Sequence, residues 1–167
     1  MTHFDIPLDQ LRAILHYSPE TGVFTWLIKT CRKVVPGAIA GYTKPEGYTI
    51  IRINGRRYRS NRLAWFYVMG HWPTGDVDHI DGNPRNDAFK NLRDVSTAEN
   101  IQNQTRAHSR NKTGGFLGVS KFKNGKRWRA RICTNGVSTL IGWFDTPEEA
   151  HQAYVEAKRK HHATCTI

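Results

Sequence analysis

Three Asn-Gly pairs, at residues 54–55, 124–125 and 135–136, constrain this chain's fold more than any other feature. A type I′ turn needs positive φ at both central residues, and Asn-Gly meets that need at the lowest cost, so each pair marks a hairpin. The first pair is flanked by Tyr48 to Ile53 and Arg56 to Arg59. The other two join strands opening at Phe116-Leu117-Gly118-Val119, at Trp128 to Ile132 and at Ser138 to Phe144. Outside these hairpins the apolar spacing becomes helical in places. Leu8, Leu11, Ile14 and Leu15 predict a first helix, ended by the turn chemistry of Ser18-Pro19-Glu20-Thr21-Gly22, and Val23 to Leu27 has strand composition. Asn61 is placed to cap a helix running to Met69, with Gly70 and Pro73 as its stop. Asp145-Thr146-Pro147-Glu148-Glu149 opens a last helix, with proline and acids in its first turn.

Residues 76–100 follow a different order. Val77-Asp78-His79-Ile80 is a short strand, and residues 81–87 form a polar loop. Asn91 to Val95 is a second strand, and Ser96 with Glu99 has capping-box spacing for a helix starting near Thr97. The expectation is an α+β protein in two parts, residues 1–105 and 113–167, with the polar segment 106–112 as linker.

No run approaches the eighteen apolar residues of a membrane span, and Met1-Thr2-His3-Phe4-Asp5 lacks a secretory layout. Cys31, Cys133 and Cys165 are odd in number and far apart, which argues against a disulfide framework or a thiolate zinc site and for a reducing, cytoplasmic setting. The formal charge is +11, and its density increases toward the C-terminus, as expected of a protein that meets a polyanion.

Asp78, His79, Asn91 and Asn100 together offer oxygen and imidazole groups without sulfur. Hard oxygen donors suit Mg²⁺ or Mn²⁺, which keep waters and bind phosphate oxygens. A neutral His79 suits a general base. Adjacent strand residues project to opposite sides, so Asp78 and His79 can flank a phosphate at the strand end. Asp81, Gly82, Asn83, Asn86 and Asp87 read as loop-shaping residues, and Glu99 as a helix cap. Arg93 either contacts a phosphate or balances Asp94.

The full string, Asp78-His79-Ile80-Asp81-Gly82-Asn83, Asn86-Asp87, Asn91-Leu92-Arg93 and Glu99-Asn100, resembles the HNH motif of ββα-metal endonucleases. It is most similar to the phage and intron-encoded homing type, with the core motif at 76–102. The resemblance implies His79 as general base and Asp78 and Asn100 as ligands of one Mg²⁺ or Mn²⁺. It implies that Asn91, the middle letter, pins the loop. The third letter is Asn100 rather than histidine, and Asn61 stands where many members have a histidine before Arg-Leu-Ala-Trp.

In residues 113–162 basic and aromatic side chains interleave: Lys121, Lys126, Arg127, Trp128, Arg129, Arg131 and Trp143. Period two puts Arg127, Arg129 and Arg131 on one strand face, with Trp128, Ala130 and Ile132 on the other. Gly118-Val119, Trp128, Ala130, Ile132, Gly142, Phe144, Glu148-Glu149-Ala150 and Ala153-Tyr154 resemble the ethylene-response-factor (Apetala-type) DNA-binding domain. That likeness implies a three-stranded antiparallel sheet backed by a helix, with the arginine face on DNA; Ser120 departs from the arginine of many plant members. Arg56, Arg57 and Arg59 add basic charge to the first hairpin. The expected protein is a duplex-DNA endonuclease, monomeric or weakly dimeric and off the membrane, nicking one strand per site. The alternatives are a DNA-binding regulator with an inactive nuclease unit and an RNA-binding protein.

Overall fold

Asn54 and Gly55 have φ of 49° and 82°, the paired positive values a type I′ turn demands. In the computed structural model, which describes residues 6–102, 115–122, 125–134 and 136–161, this turn joins β4 (Thr49–Ile53) to β5 (Arg56–Arg59). A short edge strand, β3 (Tyr42–Thr43), pairs with β4 and was not anticipated from the sequence. The expected linker 106–112, Asn124, Asn135 and Cys165 lie outside the described residues.

The chain divides into two compact units, Met1–Ser96 and Thr97–Ile167, a division earlier than residue 105. In the first, α1 (Leu8–Ile14) stops sooner than its apolar spacing suggested. Leu15–Ser18 is a strand, β1, antiparallel to β2 (Val23–Trp26). Leu15 and Tyr17 are buried while His16 between them is exposed, so the period changes from helical to two at Leu15.

Helix α2 (Ser60–Met69) follows β5 directly and ends at a left-handed Gly70. Asn61 is not its cap. It is the helix's second residue, 2 % exposed, and its amide donates to the Val77 carbonyl at 2.9 Å. This bond ties α2 to β6 (Asp76–His79), which pairs antiparallel with β7 (Leu92–Val95). The core joins Leu11, Leu15, Ile51 and Leu63, all fully buried, to Val77 and Leu92 of the β6–β7 pair.

The second unit opens with α3 (Thr97–Gln102), so strand, loop, strand and helix follow one another along the chain in the expected order. Strands β8 (Val119–Lys121), β9 (Trp128–Thr134) and β10 (Val137–Phe144) form an antiparallel sheet with β9 central. Helix α4 (Pro147–His161) packs on it, burying Val119, Ala130 and Ile132 against Ala150 and Tyr154.

Candidate active site

Strand β6 alternates, with Val77 and His79 buried and Asp76 and Asp78 on the less covered side. Asp78 and His79 therefore sit on opposite faces. Asp78 is directly across from Arg93 of β7. The guanidinium donates to one carboxylate oxygen, Oδ2, from Nη2 at 2.8 Å and from Nε at 3.1 Å. Arg93 thus pairs with Asp78 rather than Asp94. Asp94 instead accepts from the Thr74 amide and hydroxyl and from the Gly75 amide.

His79 lies deeper than a strand-end position suggests, with 5 % of its side chain exposed. Its Nε2 is 2.8 Å from Oδ1 of Asp87, and the Tyr48 ring lies 6.1 Å away. Asp87, read as a turn residue, is itself 4 % exposed. Its Oδ2 accepts from the Ser60 hydroxyl, and its backbone carbonyl accepts from Tyr17 at 2.6 Å. Burial, with the negative charges of Asp87 and Glu20, pushes the Tyr17 phenol well above its usual value, so it remains a donor. Asp87, Ser60 and Tyr17 were missed as site residues; only proximity in the folded chain groups them with His79.

The loop between the strands is shaped by other side chains. Asn91, 8 % exposed, accepts from the Asp81 amide at 3.0 Å and donates to Asp81 Oδ1 at 2.9 Å and to the Asn86 carbonyl at 2.8 Å. Asp81 also caps the Asn83 amide and accepts from the Asn86 amide group. Burial works against its charge. The hydrogen bonds from Asn86, Asn83 and Asn91, with His79 nearby, nonetheless hold its carboxyl below the usual range.

Asp78, His79, Asn91 and Arg93 belong to one compact unit, whereas Asn100 stands on α3, where the other begins. Among the described residues no group of three or more His, Cys, Asp or Glu is arranged around a metal position. The donor chemistry of one carboxylate and one amide oxygen still fits Mg²⁺, which takes few protein ligands and fills the rest with water and phosphate oxygens.

The basic residues expected to meet DNA stand on two surfaces. On the β4–β5 hairpin Arg52 is directly opposite Arg57, with Arg59 two residues along on the same side. Like charges so placed repel, a cost that a bound polyanion would remove. Arg59 lies over the Tyr48 ring at 4.7 Å, and Arg56 is exposed at the turn. In the second unit, cross-strand partners put Ser120, Arg129 and Trp143 on one face, followed by Arg131 opposite Leu140. Two guanidinium nitrogens of Arg129 reach the Ser120 hydroxyl at 3.3 and 3.2 Å, so Ser120 orients the arginine. Arg127 precedes β9 and pairs with Asp145 at 3.5 Å, both exposed. Lys121 lies across from Trp128, with its ammonium 5.4 Å from that ring, on the side away from Arg129. Lys126 is exposed.

Residues 58–102 match the family model for HNH endonuclease. Over 79 residues the chain is 40% identical to Protein 3.8 of Escherichia phage T7, an alignment covering 47% of this chain and 64% of that protein. The chain therefore spans less than two thirds of that relative's length. No solved structure matches.

Proposed function

We propose that this protein is a metal-dependent endonuclease that hydrolyses phosphodiester bonds in double-stranded DNA, nicking one strand per active site. The observation that carries the reading is the placement of Asp78 and His79 on opposite faces of β6, inside the segment that matches the endonuclease family. His79 takes a proton from the attacking water, and Asn91 holds the loop in shape around it. Asp78, with Asn100 by the motif resemblance, would hold Mg²⁺ or Mn²⁺, which supplies positive charge to the phosphate and leaving oxygen. Arg93, on the Asp78 side, adds a cation that phosphate can recruit. The setting that fits a likeness to a phage protein is the cytoplasm of an infected bacterium.

The arginine surfaces supply the DNA contacts: Arg56, Arg57 and Arg59 on the hairpin, and Arg129 and Arg131 with Trp143 on the second unit's sheet. We read that sheet, with its backing helix, as a duplex-DNA module of the ethylene-response-factor type that tethers the nuclease. Lys121, Lys126 and Arg127 stand at its margins as phosphate contacts. A homing role and action as a monomer or weak dimer complete the proposal.

The Arg93–Asp78 pair and the deep burial of His79 favour one second reading, a DNA-binding regulator with a silent nuclease unit. A supercoiled-plasmid assay with Mg²⁺ or Mn²⁺ separates them. The nuclease yields open circles, whereas a regulator shifts plasmid mobility without changing its topology.

A further inference from the structure

We infer that Asp87 is a positioning residue for His79, fixing both the plane of its ring and the nitrogen that carries its proton. This rests on the nuclease reading of the same site. The loop does not need the Asp87 carboxylate for its shape, because Asp81, Asn83, Asn86 and Asn91 make the turn and side-chain bonds that hold it. Yet the carboxylate is buried, and taking such a group from water costs several kcal/mol unless its oxygens are matched. Both are matched, Oδ2 by Ser60 and Oδ1 by Nε2 of His79.

The group is also fixed from behind. Tyr17 holds the Asp87 carbonyl, and Gly22, at φ of 74°, packs so closely that an added Cβ would fall 2.2 Å from the Asp87 carbonyl carbon. A carboxylate is only an acceptor, so Nε2 must donate to it, and the neutral ring then has its lone pair at Nδ1. Among the described residues Nδ1 has no hydrogen-bond partner. In the hydrolytic step an O–H bond of water breaks and its proton moves to Nδ1. The water oxygen bonds to phosphorus as the P–O bond to the leaving oxygen breaks. Nε2 keeps its proton throughout, and Asp87 faces the imidazolium that forms. The same logic places a carboxylate behind the histidine of hydrolytic triads.

The test combines ¹⁵N spectra of the His79 ring with nicking by the full-length chain. Wild-type protein is expected to show the neutral ring protonated at Nε2 and coupled to a strong acceptor. Asp87→Ala is expected to lose that tautomer preference and to nick about tenfold to a hundredfold more slowly at saturating plasmid, with DNA affinity within about twofold of wild type. Asp87→Asn, which keeps the shape and removes the charge, is expected to fall between them. Nicking by either folded variant within about twofold of wild type would overturn the assignment, as would a wild-type ring protonated at Nδ1. The tautomer measurement needs no variant to fold. A wild-type chain that fails to nick would instead defeat the nuclease reading, with the spectra still deciding the Asp87 contact.

Discussion

The two compact units bury different things. Within Met1–Ser96 the buried set includes Ser60, Asn61, His79, Asp87 and Asn91 beside a large apolar core. Within Thr97–Ile167 the apolar cluster of Val119, Ala130, Ile132, Ala150 and Tyr154 is joined by a single buried charged side chain among the described residues, Lys158 of α4, and the arginines stand on the open side of the sheet. A buried polar group is expensive unless fully bonded, so clusters of them occur where geometry must be fixed. An exposed cationic face is inexpensive and adaptable, which suits a polyanion. The contrast fits the proposed chemistry in the first unit and the proposed DNA contact in the second.

The sharpest way to break this contrast is to remove the base. His79→Ala is expected to slow plasmid nicking about 10²- to 10⁴-fold while leaving mobility-shift affinity intact, and Asp78→Ala should behave alike. Equal loss of cutting and binding would erase the division of labour. Next in size is the core of the first unit. Leu63→Ala, at a fully buried position, should cost about 2–5 kcal/mol in chemical denaturation. Ile132→Val in the smaller cluster should cost about 0.5–1.5 kcal/mol.

Binding measured against salt sharpens the other side. Arg131→Ala should flatten log K against log salt by about 0.9 if the side chain meets one phosphate of B-DNA, leaving cutting at low salt in place. An unchanged slope would take Arg131 off the DNA face. The smallest effect concerns acid. Asp94 is partly buried, which opposes its charge, but the Thr74 and Gly75 amides, the Thr74 hydroxyl and Arg62 hold its carboxyl below the usual range. Asp81 is depressed too. Carboxyls lowered in the folded state stabilise it above their unfolded values and lose that contribution as pH falls through the folded ones. Unfolding followed from pH 5 downward should therefore show stability falling, and Asp94→Asn should make that fall shallower.

The hairpin at Asn54-Gly55, the end of α2 at Gly70 and the order of elements around Asp78-His79 could be read from the sequence because each depends on neighbours in the chain. The end of α1 could not. Leu15 suits a helix face and a strand face equally, and only pairing with Trp26 decides it. Asn61 has cap chemistry, but a buried carbonyl on β6 claims its side chain. Asp87 was the hardest to foresee. In a loop of Asp, Asn and Gly it looks like every other turn former. The hydroxyls that set it apart belong to Ser60 and Tyr17, 27 and 70 residues away. Lys121 stands at the margin of the arginine face for a simpler reason: a strand alternates, and register puts it with Trp128.

Gly22 carries the last consequence. It lies well before residue 58, where the family match begins, yet its missing side chain is what allows the β1–β2 corner to rest against Asp87. The proposed hydrolytic centre is thus braced from outside the matched segment, and grafting residues 58–102 onto another scaffold would transplant the reagents without the vice that holds them.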